Sequence, residues 1–416
     1  MFFIKYRLVD FISLEAWLLL FMLSGGYKDA SAIVALNEYV DITLGTCAMV
    51  YIMTVWRIFR QGLPKNGLFY GYMALYVLFV VYAGINFQIS KHDIYGVLKM
   101  QKLLVFNSCA LICPLLAIQS KDHIERWWRL MVLFATVAAL YSIIAGITSG
   151  HVRLATAFGG ASSHALANIL GFSLVGILAV GVYTRNQLER FAIIAIAGLF
   201  ALVILLSGAR QAVVASMAGY AYTIFFLWKS GYDIKRIVWS FVIVVLAIMI
   251  FTVIKSRISE TTDIRHSESR MSTLVTMNRM ELLEKSHRLS AWTAGLDIWQ
   301  QSPAIGVGFG AYELYRPGSY YPHNYFIELL AELGIIGFVL GCGLLMVPIW
   351  VAIKKLPNNK SWWACAMGSL FFYGCVCIMV SGDISVNRMF FAIWSMTIVS
   401  AFMKPQNHSM RPILYR

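Results

Sequence analysis

Arginines and histidines stand beside the ends of apolar segments at Arg153, His164, Arg210, His287, Arg288, His323 and Arg388. A guanidinium is a planar, permanently charged fork suited to bidentate phosphate binding. Several such forks near one membrane surface would suit a lipid diphosphate. An imidazole can accept a proton near neutral pH. Arg210 lies in Ser207-Gly208-Ala209-Arg210-Gln211, a hinge between two apolar runs, where the alternative reading is an arginine anchoring a helix at the headgroups. Arg288 precedes Trp292 and alone would be a solvated loop charge. His323 and Asn324 open a long apolar run containing Gly334, Gly337, Gly341 and Gly343, small residues that permit close helix contact. Glu328 and Glu332, one helical turn apart, either orient His323 or pair within the helix bundle.

The segments that must position these groups are membrane spans. Of the 416 residues, 59% are hydrophobic and only 13% charged, against about a quarter charged in ordinary globular chains; mean hydropathy is +0.71. A bilayer core of about 30 Å needs roughly 20 apolar residues as helix, and such runs recur over 11–26, 38–56, 67–87, 103–119, 129–147, 167–183, 191–206, 211–228, 237–254, 325–353, 362–381 and 389–403. The fold class expected is therefore all-α, a polytopic protein of about twelve spans. Residues 1–416 read as a single membrane domain, with one long loop over 255–322.

Positive residues are retained on the cytoplasmic side. Arg57, Arg60, Lys65, Lys121, Arg126, Arg129, Arg185, Arg190, Lys229, Lys235, Arg236, Lys354 and Lys355 fall on one face together with both termini, predicting cytoplasmic ends. The smaller set Lys28, Lys91, Lys99, Lys102, Arg153, Arg210 and Arg388 goes with the long loop on the outer side. The net charge of +14 thus reflects topology; the chain has no Lys/Arg-rich block, and nucleic-acid binding is not expected. All seven cysteines lie inside proposed spans and read as small buried residues, with no disulfide framework. No His, Cys and carboxylate cluster has metal-ligand spacing, so neither metal nor cofactor is expected.

Within the long loop, Met277, Met280, Leu282 and Leu283 suggest a short helix on the membrane surface. Leu289, Trp292, Leu296 and Trp299 mark a second helix over 288–301, stopped by Ser302-Pro303. Gly306, Gly308 and Gly310 follow. Their spacing does not match a dinucleotide fingerprint and no βαβ context surrounds them, so they read as glycines allowing close backbone packing or approach to a ligand. The small-residue stretch His151 to Asn168 reads either as a re-entrant segment lining a site or as a surface loop.

The stretch from Arg288 to Gly337 resembles the shared carboxy-terminal region of the O-antigen ligase and O-antigen polymerase family. The likeness rests on Arg288 with Trp292, Pro303, Gly306-Val307-Gly308-Phe309-Gly310, and His323-Asn324 with Gly334 and Gly337. It implies a metal-independent glycosyltransferase at the outer face of a bacterial inner membrane, its site facing the periplasm. The donor would be an undecaprenyl-diphosphate-linked glycan; the acceptor would be a glycan or lipid A core, with membrane lipid around the site and a chain-length regulator as a further partner. By the same resemblance Arg210 and Arg288 match the diphosphate-binding arginines and His323 the essential histidine, as base or as acceptor positioner. Arg153, His164, Asn324, Glu328, Glu332 and Arg388 are secondary candidates. Only residues 311–322 separate Gly310 from His323, whereas ligases carry long insertions there, which favours a polymerase of O-antigen or exopolysaccharide repeat units over a ligase.

Rival classes are a polysaccharide or lipid transporter, a cell-shape peptidoglycan polymerase and a scaffold. Transporters commonly show paired halves with broken helices, and no such symmetry is visible here. No motif matches the catalytic carboxylate of the peptidoglycan polymerases. A scaffold gives no reason for outer arginines beside a His-Asn helix start.

Overall fold

The computed structural model describes residues 6–27, 41–149, 163–184, 186–232, 287–380 and 383–403. Its main helices are α1 (Leu14–Tyr27), α2 (Ile42–Gln61), α3 (Gly67–Ile89), α4 (Ile94–Ala117), α5 (Lys121–Ser149), α6 (Ser163–Tyr183), α7 (Gln187–Leu206), α8 (Arg210–Lys229), α9 (His287–Gln301), α10 (Tyr325–Trp350), α11 (Trp362–Ile378) and α12 (Arg388–Ser400). α10 continues without interruption to Asn359. Eight described helices have the length and apolarity to cross a membrane, and α1, α11 and α12 are shorter apolar helices. These are the spans expected from the sequence, except the one over 237–254, which lies outside the described residues. So do Arg153, the surface helix expected at Met277 to Leu283, and residues 151–162 of the small-residue stretch His151 to Asn168, whose last residues belong to α6.

Large apolar side chains stay on the outside of the bundle, among them Phe59, Val81, Phe191, Met217, Trp228 and Val339, as a lipid-facing surface requires. Inside, small residues receive large ones. The Trp128 ring lies against Gly176 and Tyr373 against Gly171, while Tyr222 lies against Gly368 and donates its hydroxyl to Ala352 O at 2.7 Å. Helix association in lipid depends on such close packing and on internal hydrogen bonds.

One correction concerns α4. It begins at Ile94 and not near 103, so Lys99 and Lys102 belong to a helix and not to an outer loop. Lys99 is completely buried, with Nζ 2.5 Å from Glu328 Oε1 and 2.7 Å from Glu332 Oε2 on α10. A charge in a span is tolerated when it faces the bundle and is paired, and here two carboxylates meet one ammonium. Past Lys102, α4 widens into a π-helical segment, Leu103–Asn107. Such segments disturb the carbonyl ladder, and here Leu103 O accepts from Tyr76 Oη and Val105 O from Tyr51 Oη, both at 3.1 Å.

The two ends of α1 have different partners. Near its start, Glu15 accepts from Arg57 of α2 at 2.6 Å and from Arg126 of α5 at 3.2 Å, and Arg126 Nε also lies 2.9 Å from Asp10. Toward its other end, Phe21 O and Ser24 Oγ accept from Arg388. Arg57 and Arg126 therefore lie at the opposite end of the helix from Arg388.

Candidate active site

α10 is broken at Gly334, whose φ of 63° is left-handed. In an unbroken helix Ile335 N would bond Ala331 O and Ile336 N would bond Glu332 O. Instead Ile335 N donates to Pro303 O at 2.9 Å and Ile336 N to Ala304 O at 3.3 Å. The two released carbonyls are taken up by the same turn: Val307 N bonds Ala331 O and Gly308 N bonds Glu332 O, both at 3.0 Å. The glycine-rich turn thus completes the hydrogen bonding of the broken helix. Gly306 and Gly334 allow the approach, because a Cβ on Gly306 would lie 2.3 Å from the Glu332 carbonyl and one on Gly334 would lie 2.4 Å from that of Ala304. These glycines serve close backbone packing, one of the two readings open from the sequence.

The turn is also tied to the neighbouring helices. Asn86 of α3 donates to Ile305 O at 2.6 Å and accepts from Phe309 N at 2.7 Å. Gly310 N donates to Glu332 Oε2 at 2.8 Å, linking the turn to the Lys99 cluster. On the other side, Tyr312 Oη donates to Ala291 O at 2.8 Å and Arg316 Nη2 to Ser290 Oγ at 2.9 Å. The segment between α9 and α10 is therefore fixed against the first turns of α9, where exposed Arg288 stands.

His323 is half-buried and has a φ of 58°, a left-handed conformation uncommon outside glycine and often found at functional sites. Its ring meets Tyr321 edge to face at 4.5 Å. Asn324 follows as the N-cap of α10: its Oδ1 accepts from Phe326 N and Ile327 N at 3.0 and 3.2 Å, and its Nδ2 donates to Met379 O at 3.3 Å. Asn324 is thus used in orienting the helix start on which His323 sits. Burial holds the His323 pKa below the ordinary value of 6.5, with Arg288 and His164 acting in the same direction and Asp383 opposing them. The ring is therefore neutral near neutral pH, the form that can accept a proton.

The last turn of α11 collects the remaining candidates. Cys377 O accepts from Gln211 Nε2 at 3.4 Å, beside half-exposed Arg210 at the start of α8. Cys377 Sγ lies 3.7 Å from Asn168 Oδ1, one turn along α6 from exposed His164. Met379 O holds Asn324. Arg210, His164 and His323 are thus carried by helix starts that converge on one helix end, and Arg288 and His164 both act on His323 electrostatically.

Arg388, at the start of α12, is buried. Its guanidinium packs over Phe21 and Phe106 at 5.2 and 5.3 Å and lies against Gly25. It lines a cavity of about 280 Å³ with His164, Asn168, Phe172 and Asn387. Glu328 and Glu332 face Lys99, so of the two readings open for them the structure shows pairing within the bundle.

Three residues beside the site, Asp383, Tyr95 and Lys99, were not singled out from the sequence as site residues. Asp383 is buried, accepts from Ser385 Oγ and Val386 N at 2.8 Å each, and is hydrogen-bonded by Tyr95 Oη. Lys99 carried a legible signal: two carboxylates four apart in an apolar span require a buried cation. Tyr95 and Asp383 had no such signal, because their contact spans 288 residues.

Fold and site together define a polytopic, all-helical membrane protein with cationic and imidazole groups gathered at one end of its bundle. Residues 195–342 match the family model described as O-Antigen ligase, a stretch that takes in Arg210, Arg288, His323 and the glycine-rich turn. That stretch is therefore similar to the O-antigen ligase family, a likeness that supports glycan transfer in a membrane. No curated protein matches the chain significantly.

Proposed function

We propose that this chain is an inner-membrane glycosyltransferase that moves a glycan from undecaprenyl diphosphate to an acceptor hydroxyl, extending O-antigen or exopolysaccharide repeat units. The observation that carries the reading is the convergence of the helix starts bearing Arg210, His164 and half-buried His323 on the end of α11, with Arg288 and His164 acting electrostatically on His323. In the reaction, the acceptor oxygen bonds to the anomeric carbon as the bond from that carbon to the diphosphate oxygen breaks. The acceptor proton passes to the free nitrogen of His323, and the electron pair leaves with the polyprenyl diphosphate. Negative charge developing on the diphosphate is stabilised by Arg210 and Arg288.

The site faces the periplasm in this reading, both termini are cytoplasmic, and the chain forms one membrane domain. In support, Arg57 and Arg126, which the charge pattern assigns to the cytoplasm, meet α1 at the end opposite Arg388. The arginines supply the leaving-group stabilisation without a metal.

The test is reconstitution in liposomes with an undecaprenyl-diphosphate-linked repeat unit, read by mass spectrometry of the lipid products. Growth to two or more repeats on the carrier is expected. Transfer only to added lipid A core would assign the ligase reaction. Transbilayer movement of an intact donor without any new glycosidic bond would overturn the enzyme reading in favour of transport.

A further inference from the structure

Aromatic rings extend outward from the candidate base. Tyr321 contacts His323 edge to face at 4.5 Å. Tyr95 lies 6.5 Å from Tyr321 with ring planes 23° apart, and 4.9 Å from Tyr320 at 36°. Tyr320 is 53% exposed, whereas the inner rings are half-buried. The wall is held from behind: buried Asp383, fixed by Ser385 Oγ and Val386 N, also takes the Tyr95 hydroxyl. Tyr95 is thus anchored at its hydroxyl while its ring supports Tyr320.

A pyranose ring has a face of polarised C–H groups, and a tyrosine ring presents an electron-rich face that matches it. Tyrosine offers this area at little conformational cost, since it has only two side-chain torsions to fix. A tyrosine serving only as an interfacial membrane anchor needs neither a tethered neighbour nor contact with the base.

Resting on the reading of His323 as the acceptor-side group, we infer that Tyr95, Tyr320 and Tyr321 form the subsite that stacks the acceptor saccharide and delivers its terminal hydroxyl to His323. Asp383 is a positioning residue for this wall.

The experiment combines kinetics with direct binding. Acceptor and donor KM are measured for Tyr320→Ala, Tyr320→Trp and Tyr95→Phe. In parallel, saturation-transfer NMR follows the host's own repeat-unit oligosaccharide, freed of lipid, on protein in nanodiscs. Alanine at 320 is expected to raise acceptor KM on the order of tenfold and to remove the oligosaccharide signal, and tryptophan to recover most of both. Tyr95→Phe, which keeps the ring but loses the Asp383 tether, is expected to raise acceptor KM in the same direction. A rise confined to donor KM, or no change in acceptor KM and NMR signal for Tyr320→Ala, overturns the subsite. If the wild-type chain binds the oligosaccharide through Tyr320 but transfers nothing, the saccharide subsite is supported and the transferase reading fails instead.

Discussion

Lys99 Nζ lies 2.7 Å from Glu332 Oε2 across 233 residues of sequence, and that carboxylate oxygen also accepts from Gly310 N at 2.8 Å. A buried cation on α4 thereby fixes a carboxylate on α10, which in turn fixes the glycine-rich turn. Glu328 extends the network by accepting from Ile384 N at 3.1 Å, ahead of α12. The candidate base stands five residues before Glu328, on a helix start tied to this network.

Lys99→Met should accordingly destabilise the whole site end, because it leaves two buried carboxylates without their cation. Removing one partner of a buried pair costs about 3–5 kcal/mol. The double variant Lys99→Met/Glu332→Gln should recover part of that loss. Thermal unfolding of detergent-purified protein checks this, and an unchanged transition for Lys99→Met would show the ion cluster to be dispensable.

The break in α10 gives a second stability prediction. Gly334→Ala places a Cβ 2.4 Å from the Ala304 carbonyl at a φ of 63°, adding steric overlap to a left-handed conformation that costs about 1–2 kcal/mol for other residues. Gly343→Ala is the control on the same helix, since its Cβ would meet only Leu75 at an ordinary 3.5 Å. The first variant should lower the unfolding temperature and the second should not, so equal behaviour of the two would remove the structural role assigned to the turn.

Much of this arrangement was legible in the sequence, and the illegible part has a physical cause. Apolar runs located the helices because lipid demands about 20 such residues in succession, and the start of α9 near 288 followed from its helical spacing. Lys99 was misplaced because local charge counting puts a lysine near a segment boundary into a loop, whereas a partner 233 residues away stabilises it inside the helix. The pairing of Pro303, Ala304, Val307 and Gly308 with α10 was invisible for the same reason. Glycines advertise close approach but do not name what approaches. Arg210, His164 and His323 were singled out from the sequence, while the convergence of their helix starts on the end of α11 depends on bonds made by Gln211, Asn168 and Asn324, of which the first two carry no motif of their own.

Orientation can be tested with single cysteines, since Cys342 and Cys375 are half-buried and the other native cysteines are buried. Pro317→Cys, exposed in the segment before His323, should react with a membrane-impermeant maleimide added to intact spheroplasts. Gln61→Cys, exposed at the far end of α2 near Arg57, should react only after lysis. The reverse pattern would turn the site toward the cytoplasm, away from the proposed acceptor.

The pH dependence should report the charges around His323. Burial, Arg288 and His164 hold its pKa below 6.5 and Asp383 raises it, so the acid limb of kcat/KM should fall below pH 6.5. The neutral ring is the active form and is lost as pH drops through that pKa. Asp383→Asn removes the opposing anion and should move the limb to lower pH. Arg288→Gln removes a repelling cation and should move the limb of its residual activity to higher pH. Limbs that stay in place in both variants would mean that His323 is not the titrating group.

The division of labour between donor and acceptor gives the last prediction. Alanine at 323 would remove the imidazole and also place a residue with little tolerance for left-handed geometry at a φ of 58°, confounding chemistry with backbone strain. Asparagine visits that region more readily, so His323→Asn is the cleaner probe. It should keep binding the carrier-linked donor while turnover falls by about 10²–10⁴, the range of general-base catalysis. Arg210→Lys should instead weaken donor binding and turnover together, because a lysine cannot supply the bidentate fork that a diphosphate accepts. Donor binding and product formation are measured separately for each variant. Near-normal turnover in His323→Asn would make the histidine structural, and equal loss of donor binding in both variants would place His323 on the diphosphate rather than on the acceptor.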